Sequence, residues 1–420
     1  MQLSEKVTLP EHIRTHAEMY IGKIGEGSHP NDGIYLLLQE VLNYFVDEFQ
    51  EGYGKKIEIQ IQSGQIVTIR DYGRGLSFDE RYSENHHSIK TAEVTSFGLD
   101  TVNALSSYMD VEIYRNGVVD WFSYEEGVLI HKLTNKTKCK DGIAVTFALH
   151  DLVFGTSSFK EEIVYSMLRN ISYLNVGLEI VYGRIRIKSK GGMAELLADK
   201  KRSKGYYLYP IIHFKNEWVE AAFTHSLATN ETYYSFVNGQ SINQGNIYLD
   251  AFKDAVTSVL MEFYSSEGFI SEDVYSGLVG AIAIKIKQQK LEQVNIKEVI
   301  HTFFYEKCKN YLLEHRNVCD FIYGKMSVAK DKREFRCKCL LMGVKELVEL
   351  WNKGVDSGQL SSDDLYAIRD AFLEKNIQTI EMQRADAIGK RFAISYDEKN
   401  NVIHCSGRHF FEDSEKLFQL

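Results

Sequence analysis

Proline is nearly absent, with three in 420 residues, which excludes long proline-rich linkers and argues against disorder. No stretch reaches about 18 apolar residues, so no membrane-spanning helix is expected. Residues 1–6 carry no apolar run of signal-peptide length, and a cytoplasmic location is the expectation. Cysteine is sparse and poorly placed for chemistry. Of Cys139, Cys308, Cys319, Cys337, Cys339 and Cys405, only Cys337 and Cys339 are close, and no second pair stands at zinc-ribbon distance. Free thiols in a reducing compartment are expected, with no metal site. Positive charge is also in deficit. A formal net charge of -9 gives no overall basic field of the kind that nucleic-acid binding favours, although it leaves room for a local basic patch.

Apolar and aromatic residues are plentiful. With 44% hydrophobic content, 25 tyrosines and 23 phenylalanines, the chain can bury two or three cores and should be multidomain. The segment Gln39 to Glu48 reads as a helix with Glu40, Asn43, Tyr44 and Asp47 on one face. Lys56 to Gln62 and Gln65 to Arg70 read as a strand pair around Ser63-Gly64, the second strand delivering Asp71 to a glycine-rich turn. A helix is expected from Asp100 to Ser107, and strands at Asp110 to Arg115, Val118 to Tyr124 and Ile143 to Leu149. A helix over Phe159 to Tyr173 and strands at Gly177 to Tyr182 and Ile185 to Lys188 complete a first domain, 1–195. Polar Ser189 to Gly205 reads as a linker. A second domain, 206–350, is expected to hold strands at Glu217 to Thr224, Tyr233 to Val237 and Leu278 to Ile286, with a crossover helix over Leu249 to Tyr264. Helices follow from Ile296 to Leu350, and residues 351–420 form a small extension whose role the sequence does not reveal.

Six segments carry a family resemblance. They are Arg14 to Gly22, Glu40 to Glu48, Asp71-Tyr72-Gly73-Arg74-Gly75, Val102-Asn103-Ala104-Leu105-Ser106, Tyr234 to Gln240 and Glu272 to Leu278. In order and spacing they resemble the ATPase half of the type IIA DNA topoisomerases, the B subunits of gyrase and topoisomerase IV, within the GHKL group. The resemblance implies an α+β chain: a GHKL (Bergerat) ATPase sandwich, then a transducer domain of ribosomal-S5-like α/β type. It also implies roles. Glu40 would be the general base toward water, Asp71 would accept the adenine amino hydrogen, and Gly73 and Gly75 would permit close backbone approach. Arg74 and Arg115 match basic positions at the rim of the nucleotide pocket, and Asp47 matches a supporting carboxylate. Asn43 and Gly98 are further candidates for the cofactor site.

The chain also departs from the family pattern. Where the family places a magnesium-binding asparagine stands Tyr44, and Asn43 is one residue early, turned by roughly 100° around the helix. The glycine-rich lid reads Ala92-Glu93-Val94-Thr95-Ser96-Phe97-Gly98, retaining only its last glycine. A Gly-Thr pair becomes Gly142-Ile143, and a Gln-Thr-Lys loop reads Gln293-Val294-Asn295, with Lys290 and Lys297 nearby. The expectation is weak ATP binding, slow or lost hydrolysis, an undecided magnesium requirement and a clamp-like homodimer. Residues 351–420 contain neither signature of the metal-binding Toprim domain, so no DNA cleavage is expected from this chain alone, and a separate cleavage subunit would have to supply it. A basic helix holding Lys325, Lys330, Lys332, Arg333 and Arg336 stands where the family lines its DNA cavity. The rival expectation is a nucleotide-independent scaffold that keeps the fold.

Overall fold

The computed structural model describes residues 8–75, 98–204, 206–242, 247–285, 296–377 and 393–406. The chain divides into two compact units, residues 1–256 with 277–310, and residues 257–276 with 311–420.

In the first unit, alternation selects the inner face of a sheet. Strand β1 (Lys56–Gln62) buries Ile57 and Ile59, and β2 (Ile66–Asp71) buries Val67, Ile69 and then Asp71. Ser63 and Gly64, both at positive φ, close the hairpin between them. The sheet continues with β3 (Ser106–Arg115), β4 (Val118–Glu125), β5 (Val128–Lys136), β6 (Gly142–Leu149), β7 (Glu179–Tyr182) and β8 (Ile185–Ile187). Its order is β5-β4-β3-β6-β2-β1-β7-β8, antiparallel except where β1 meets β7. Two short helices, α1 (Leu9–Thr15) and α2 (Ala17–Ile21), precede the long α3 (Gly33–Gln50). Helix α3 buries Ile34, Leu37, Leu38, Val41, Leu42 and Phe45, a three-and-four spacing that sets an apolar stripe in the core. Helices α4 (Gly98–Ala104), α5 (Asp151–Phe154) and α6 (Glu161–Leu174) contribute to the same core.

Some boundaries differ from expectation for local reasons. The helix expected to reach Ser107 ends at Ala104, because the Ser106 hydroxyl donates to the Val102 carbonyl at 2.6 Å and the chain enters β3 there. Strand β5 is an element that the sequence pattern does not announce. It is exposed along its whole length at the edge of the sheet, so it carries no buried alternation to betray it.

The expected linker is a helix, α7 (Gly192–Lys204). Met193, Leu196 and Leu197 are fully buried in a cluster with Tyr173 and Leu174 of α6 and with Ala222, Val279 and Ala281 of a second sheet. Their spacing of three and four is a short amphipathic signal, obscured by the basic run that follows. The second sheet contains β9 (Ile212–Lys215), β10 (Val219–His225), β11 (Thr232–Val237), β12 (Gln240–Ile242) and β13 (Leu278–Ile284) in the order β12-β11-β13-β10-β9. Strands β11 and β13 run parallel, with α8 (Ile247–Phe263) between them in sequence, as the crossover expectation requires. Every residue of β13 is buried. Its Gly280 is needed for packing, since a Cβ there would come 2.7 Å from the Phe252 ring.

A buried charge joins α7 to β10. The Glu220 carboxylate accepts from the Met193 amide at 2.8 Å and from Lys215 Nζ at 2.6 Å, and lies 3.1 Å from His213 Nε2. Burial by itself would raise its pKa; the hydrogen bonds from His213, Lys215 and Met193 outweigh that and hold it at about 2. A depressed carboxylate contributes stability above its unfolded value near 4.5, and that contribution is lost as pH falls toward 2. Allowing for the half-exposed Lys215, the effect is about 2 kcal/mol. Thermal unfolding followed from pH 6 to pH 2 should therefore show an acid-side loss of stability that Glu220→Gln lacks.

The second unit has its own core. It includes helix α9 (Ser271–Tyr275) and the last residues, from Tyr311, of α10 (Ile296–Glu314). Helices α11 (Arg316–Leu341), α12 (Val344–Ser357) and α13 (Ser362–Glu374) follow, and then the hairpin of β14 (Ala393–Asp397) and β15 (Val402–Ser406). Trp351 lies at the centre of a cluster with Cys339, Leu347, Ile368, Phe372, Ile394 and Ile403. The Asn352 side-chain amide mimics a neighbouring strand, donating to the Ile394 carbonyl at 2.8 Å and accepting from its amide at 2.7 Å. Trp351→Ala should cost about 3–5 kcal/mol of local stability, visible as faster hydrogen exchange of the β14–β15 amides. Among the described residues no helix is long and apolar enough to cross a membrane.

Candidate functional site

The period of two along β2 carries Asp71 inward beside β6. Its Oδ1 accepts the Ile143 amide at 2.6 Å, and the residue is 1% exposed. Gly142 is obligatory there, because a Cβ would sit 2.5 Å from the Asp71 carbonyl and 2.9 Å from its Oδ1. The glycines of the following turn are likewise required by protein contacts. A Cβ on Gly73 would meet Glu48 Cγ at 2.5 Å and Asp71 Oδ2 at 3.0 Å; one on Gly75, at φ +62°, would meet the Tyr114 carbonyl at 2.1 Å.

Glu48 organises this turn, a role that the sequence motifs do not assign to it. It is 1% exposed and accepts the Arg74 amide at 2.7 Å, Arg74 Nε at 3.1 Å and the guanidinium again at 3.0 Å. Glu51 also pairs with Arg74, whose guanidinium lies 4.1 Å from the Tyr53 ring centroid. The hydrogen bond that Arg74 donates to Glu48, reinforced by both carboxylate charges, drives the Arg74 pKa further up. Arg74 is therefore a clamp between α3 and the turn. The available signal is spacing: Glu48 lies eight residues, or about two turns, beyond Glu40 on the same helix.

The remaining predicted residues fall as follows. Glu40 is half-buried on α3, about 12 Å along the helix from Glu48. Asn43 accepts a hydrogen bond from Gln39 at 2.7 Å, and Asp47 is exposed. Tyr44 is 9% exposed and belongs to the apolar core. Arg115 is exposed at the end of β3, and its Cβ lies 3.4 Å from where a Cβ on Gly75 would stand. Gly98 begins α4 with φ +70°. The lid residues Ala92 to Phe97, the loop Gln293 to Asn295 and Lys290 lie outside the described residues. Lys297 is described, and pairs with Asp254 at 3.3 Å. Among the described residues no cluster of three or more histidine, cysteine or acidic side chains is placed to hold a metal ion.

The proposed DNA helix is α11, and much of its charge is engaged within its own unit. Arg333 forks onto Asp273 at 3.0 and 3.1 Å, Lys332 pairs with Asp363 at 2.5 Å, and Lys330 donates to the Glu267 carbonyl at 2.7 Å. Burial lowers the pKa of Lys325, while Arg336 and Lys338 are exposed.

A profile of the DNA gyrase B family matches residues 193–338. The B subunit of DNA topoisomerase 4 from Borreliella burgdorferi is 33% identical over 294 residues, covering 67% of this chain and 48% of that protein. The B subunit of the type 2 topoisomerase from Aquifex aeolicus is 27% identical over 371 residues, covering 77% and 46%. The 43K ATPase domain of Thermus thermophilus gyrase B, crystallised with an aminocoumarin, superposes with a TM-score of 0.63 at 23% identity, covering 78% of this chain and 96% of that one. The chain belongs to the type IIA topoisomerase B-subunit family. This B-subunit relative spans about half the length of those two curated proteins, at 48% and 46%. The likeness to solved gyrase B structures agrees with the α+β architecture expected from the motifs.

Proposed function

We propose that this chain is a nucleotide-responsive B-subunit module that binds ATP weakly and closes as a homodimeric clamp, with slow or absent hydrolysis. The observation that carries the reading is Asp71, a carboxylate delivered inward by β2 and aimed by the Ile143 amide at 2.6 Å. The adenine end of the site fits: Gly142 leaves the Asp71 carboxylate the space that a side chain would fill. Asp71 would accept the adenine amino hydrogen, and Arg74 with Glu48 would keep the turn in register. Glu40, about two helical turns from Glu48, would hold a water and take its proton. ATP, when bound, supplies the phosphoryl group and the driving force for closure. Titration calorimetry with a non-hydrolysable ATP analogue tests the reading, and no binding at millimolar nucleotide ends it.

Tyr44 favours a second reading, a scaffold that has abandoned nucleotide. Its ring is packed in the core where the family resemblance calls for a magnesium-binding asparagine. Steady ATP turnover that vanishes in Glu40→Ala would refute this view and establish Glu40 as the base. DNA engagement, through Arg336 and the other basic residues of α11, and a separately supplied cleavage subunit belong to the same proposal. They are checked by DNA binding and by co-purification.

A further inference from the structure

We propose that the edge of the first sheet formed by β5 is a docking surface for an extended segment of a partner protein, alternating acidic and apolar residues, that adds to the sheet as a further strand. Strand β5 spans nine residues, stands at the end of the sheet order, and among the described residues has no neighbour beyond β4. Its ladder fixes which backbone groups are used. The Thr137 amide donates to the Gly117 carbonyl at 2.9 Å, one step past the pairing of Val118 with Lys136. Counting by twos from that bond, β4 takes the backbone groups of Asn135, Leu133 and His131, and those of Lys132, Thr134 and Lys136 face outward.

Several devices that usually close such an edge are missing here. The strand is long, holds no proline, and leaves Val128, Leu129, Ile130 and Leu133 between 41% and 60% exposed. Its register shift lies toward the hairpin end, between Ser123 and Tyr124 of β4, so His131 to Lys136 run as a regular strand. Alternation sorts that stretch into two faces. His131, Leu133 and Asn135 share a face with Trp121, whose ring stacks on that of His131 with centroids 6.5 Å apart. Lys132, Thr134 and Lys136 share the other, where Lys132 Nζ lies 5.1 Å from the Phe122 ring centroid.

Charge selects the occupant. From Val128 to Lys140 the chain carries Lys132, Lys136, Lys138 and Lys140 and no acid. The acids around this stretch are engaged or distant. Asp120 accepts the Thr134 hydroxyl at 2.6 Å, Asp141 accepts the Asn116 amide at 3.0 Å, Glu126 pairs with Arg14 at 3.6 Å, and Glu125 stands at the hairpin end beyond the register shift. Two copies of β5 meeting edge to edge would set the lysines of one against the lysines of the other, and like charges facing each other across a ladder are unfavourable. A second copy is therefore a poor occupant. A segment with carboxylates opposite Lys132 and Lys136 and apolar side chains opposite Leu133 bonds the outward backbone groups, neutralises both ammonium groups and covers the exposed apolar surface.

The test is fluorescence anisotropy of a labelled peptide of alternating valine and glutamate, as long as β5, titrated with the full chain. Saturable binding is expected, with slower hydrogen exchange of the Lys132, Thr134 and Lys136 amides. Lys132→Glu/Lys136→Glu should weaken that binding roughly tenfold or more and make the variant accept a valine–lysine peptide instead. Its melting temperature should not change, because both side chains are exposed. A valine–glutamate peptide N-methylated on alternate residues keeps its charge and apolar surface but cannot complete a ladder, and should not bind. The proposal is overturned if the unmethylated peptide fails to bind at millimolar concentration, or if the methylated one binds equally well, which would mean adhesion by charge without a strand. It is equally overturned if the chain alone self-associates and protects the same three amides, which would make the occupant a second copy. Strands β4, β3 and β6 separate this edge from β2, and no arm of the test involves Asp71, so failure here leaves the ATP reading standing.

Discussion

Asp71→Asn is expected to leave the fold intact and to weaken binding of a non-hydrolysable ATP analogue by roughly 30- to 100-fold, about 2–3 kcal/mol. Asparagine has the same shape and keeps an oxygen for the Ile143 amide, which now lies 2.6 Å from Asp71 Oδ1. That bond fixes the orientation of the new side chain and turns its amide donor to the place of the second carboxylate oxygen. A ligand amino group needing an acceptor then meets a donor, and the charge that strengthened the bond is gone. Calorimetry supplies the affinity, and the melting temperature separates a binding effect from a folding one. An unchanged affinity in a folded variant would remove Asp71 from the nucleotide site.

Arg74→Ala should destabilise the first unit by about 3–5 kcal/mol, because it strips the guanidinium from a carboxylate that is 1% exposed. Glu48 would keep the Arg74 backbone amide at 2.7 Å but lose both guanidinium hydrogen bonds. Arg74→Lys should recover only part of the loss, since an ammonium cannot reproduce the fork. The combined Glu48→Leu/Arg74→Leu variant should be less damaged than Arg74→Ala, because no buried charge is then left alone. Hydrogen exchange of the β2 and β6 amides, read beside the melting temperature, localises the effect. Additive losses in this series would show that the pair is not coupled.

Most of the secondary structure is legible in the sequence because its causes are local. Alternation in Lys56 to Arg70, the Ser63-Gly64 turn and the three-and-four spacing of α3 each act within a few residues. Elements whose stability comes from distant partners are not legible in this way. Helix α7 is held by a cluster drawn from α6 and the second sheet, and its basic second half makes the segment read as a linker. Among the described residues strand β5 pairs with β4, and it is exposed along its length, so it buries nothing that a pattern could report. The candidate site divides in the same way. Asp71 and its glycines can be named from their order in the chain, whereas the work of Arg74 cannot. A motif shows that an arginine is present, but only packing brings Glu48, Glu51 and Tyr53 around it.

The sequence by itself determined the family, the α+β class and the position of Asp71, since these rest on residue order and on a strand period of two. Tertiary structure decided what cannot be computed from neighbours along the chain. It set Tyr44 into the core, engaged Lys330, Lys332 and Arg333 with acids and a carbonyl far away in sequence, and brought Lys140 beside Lys55. The physical reason is that charge and burial act through space, so a side chain's role depends on which partners folding delivers to it.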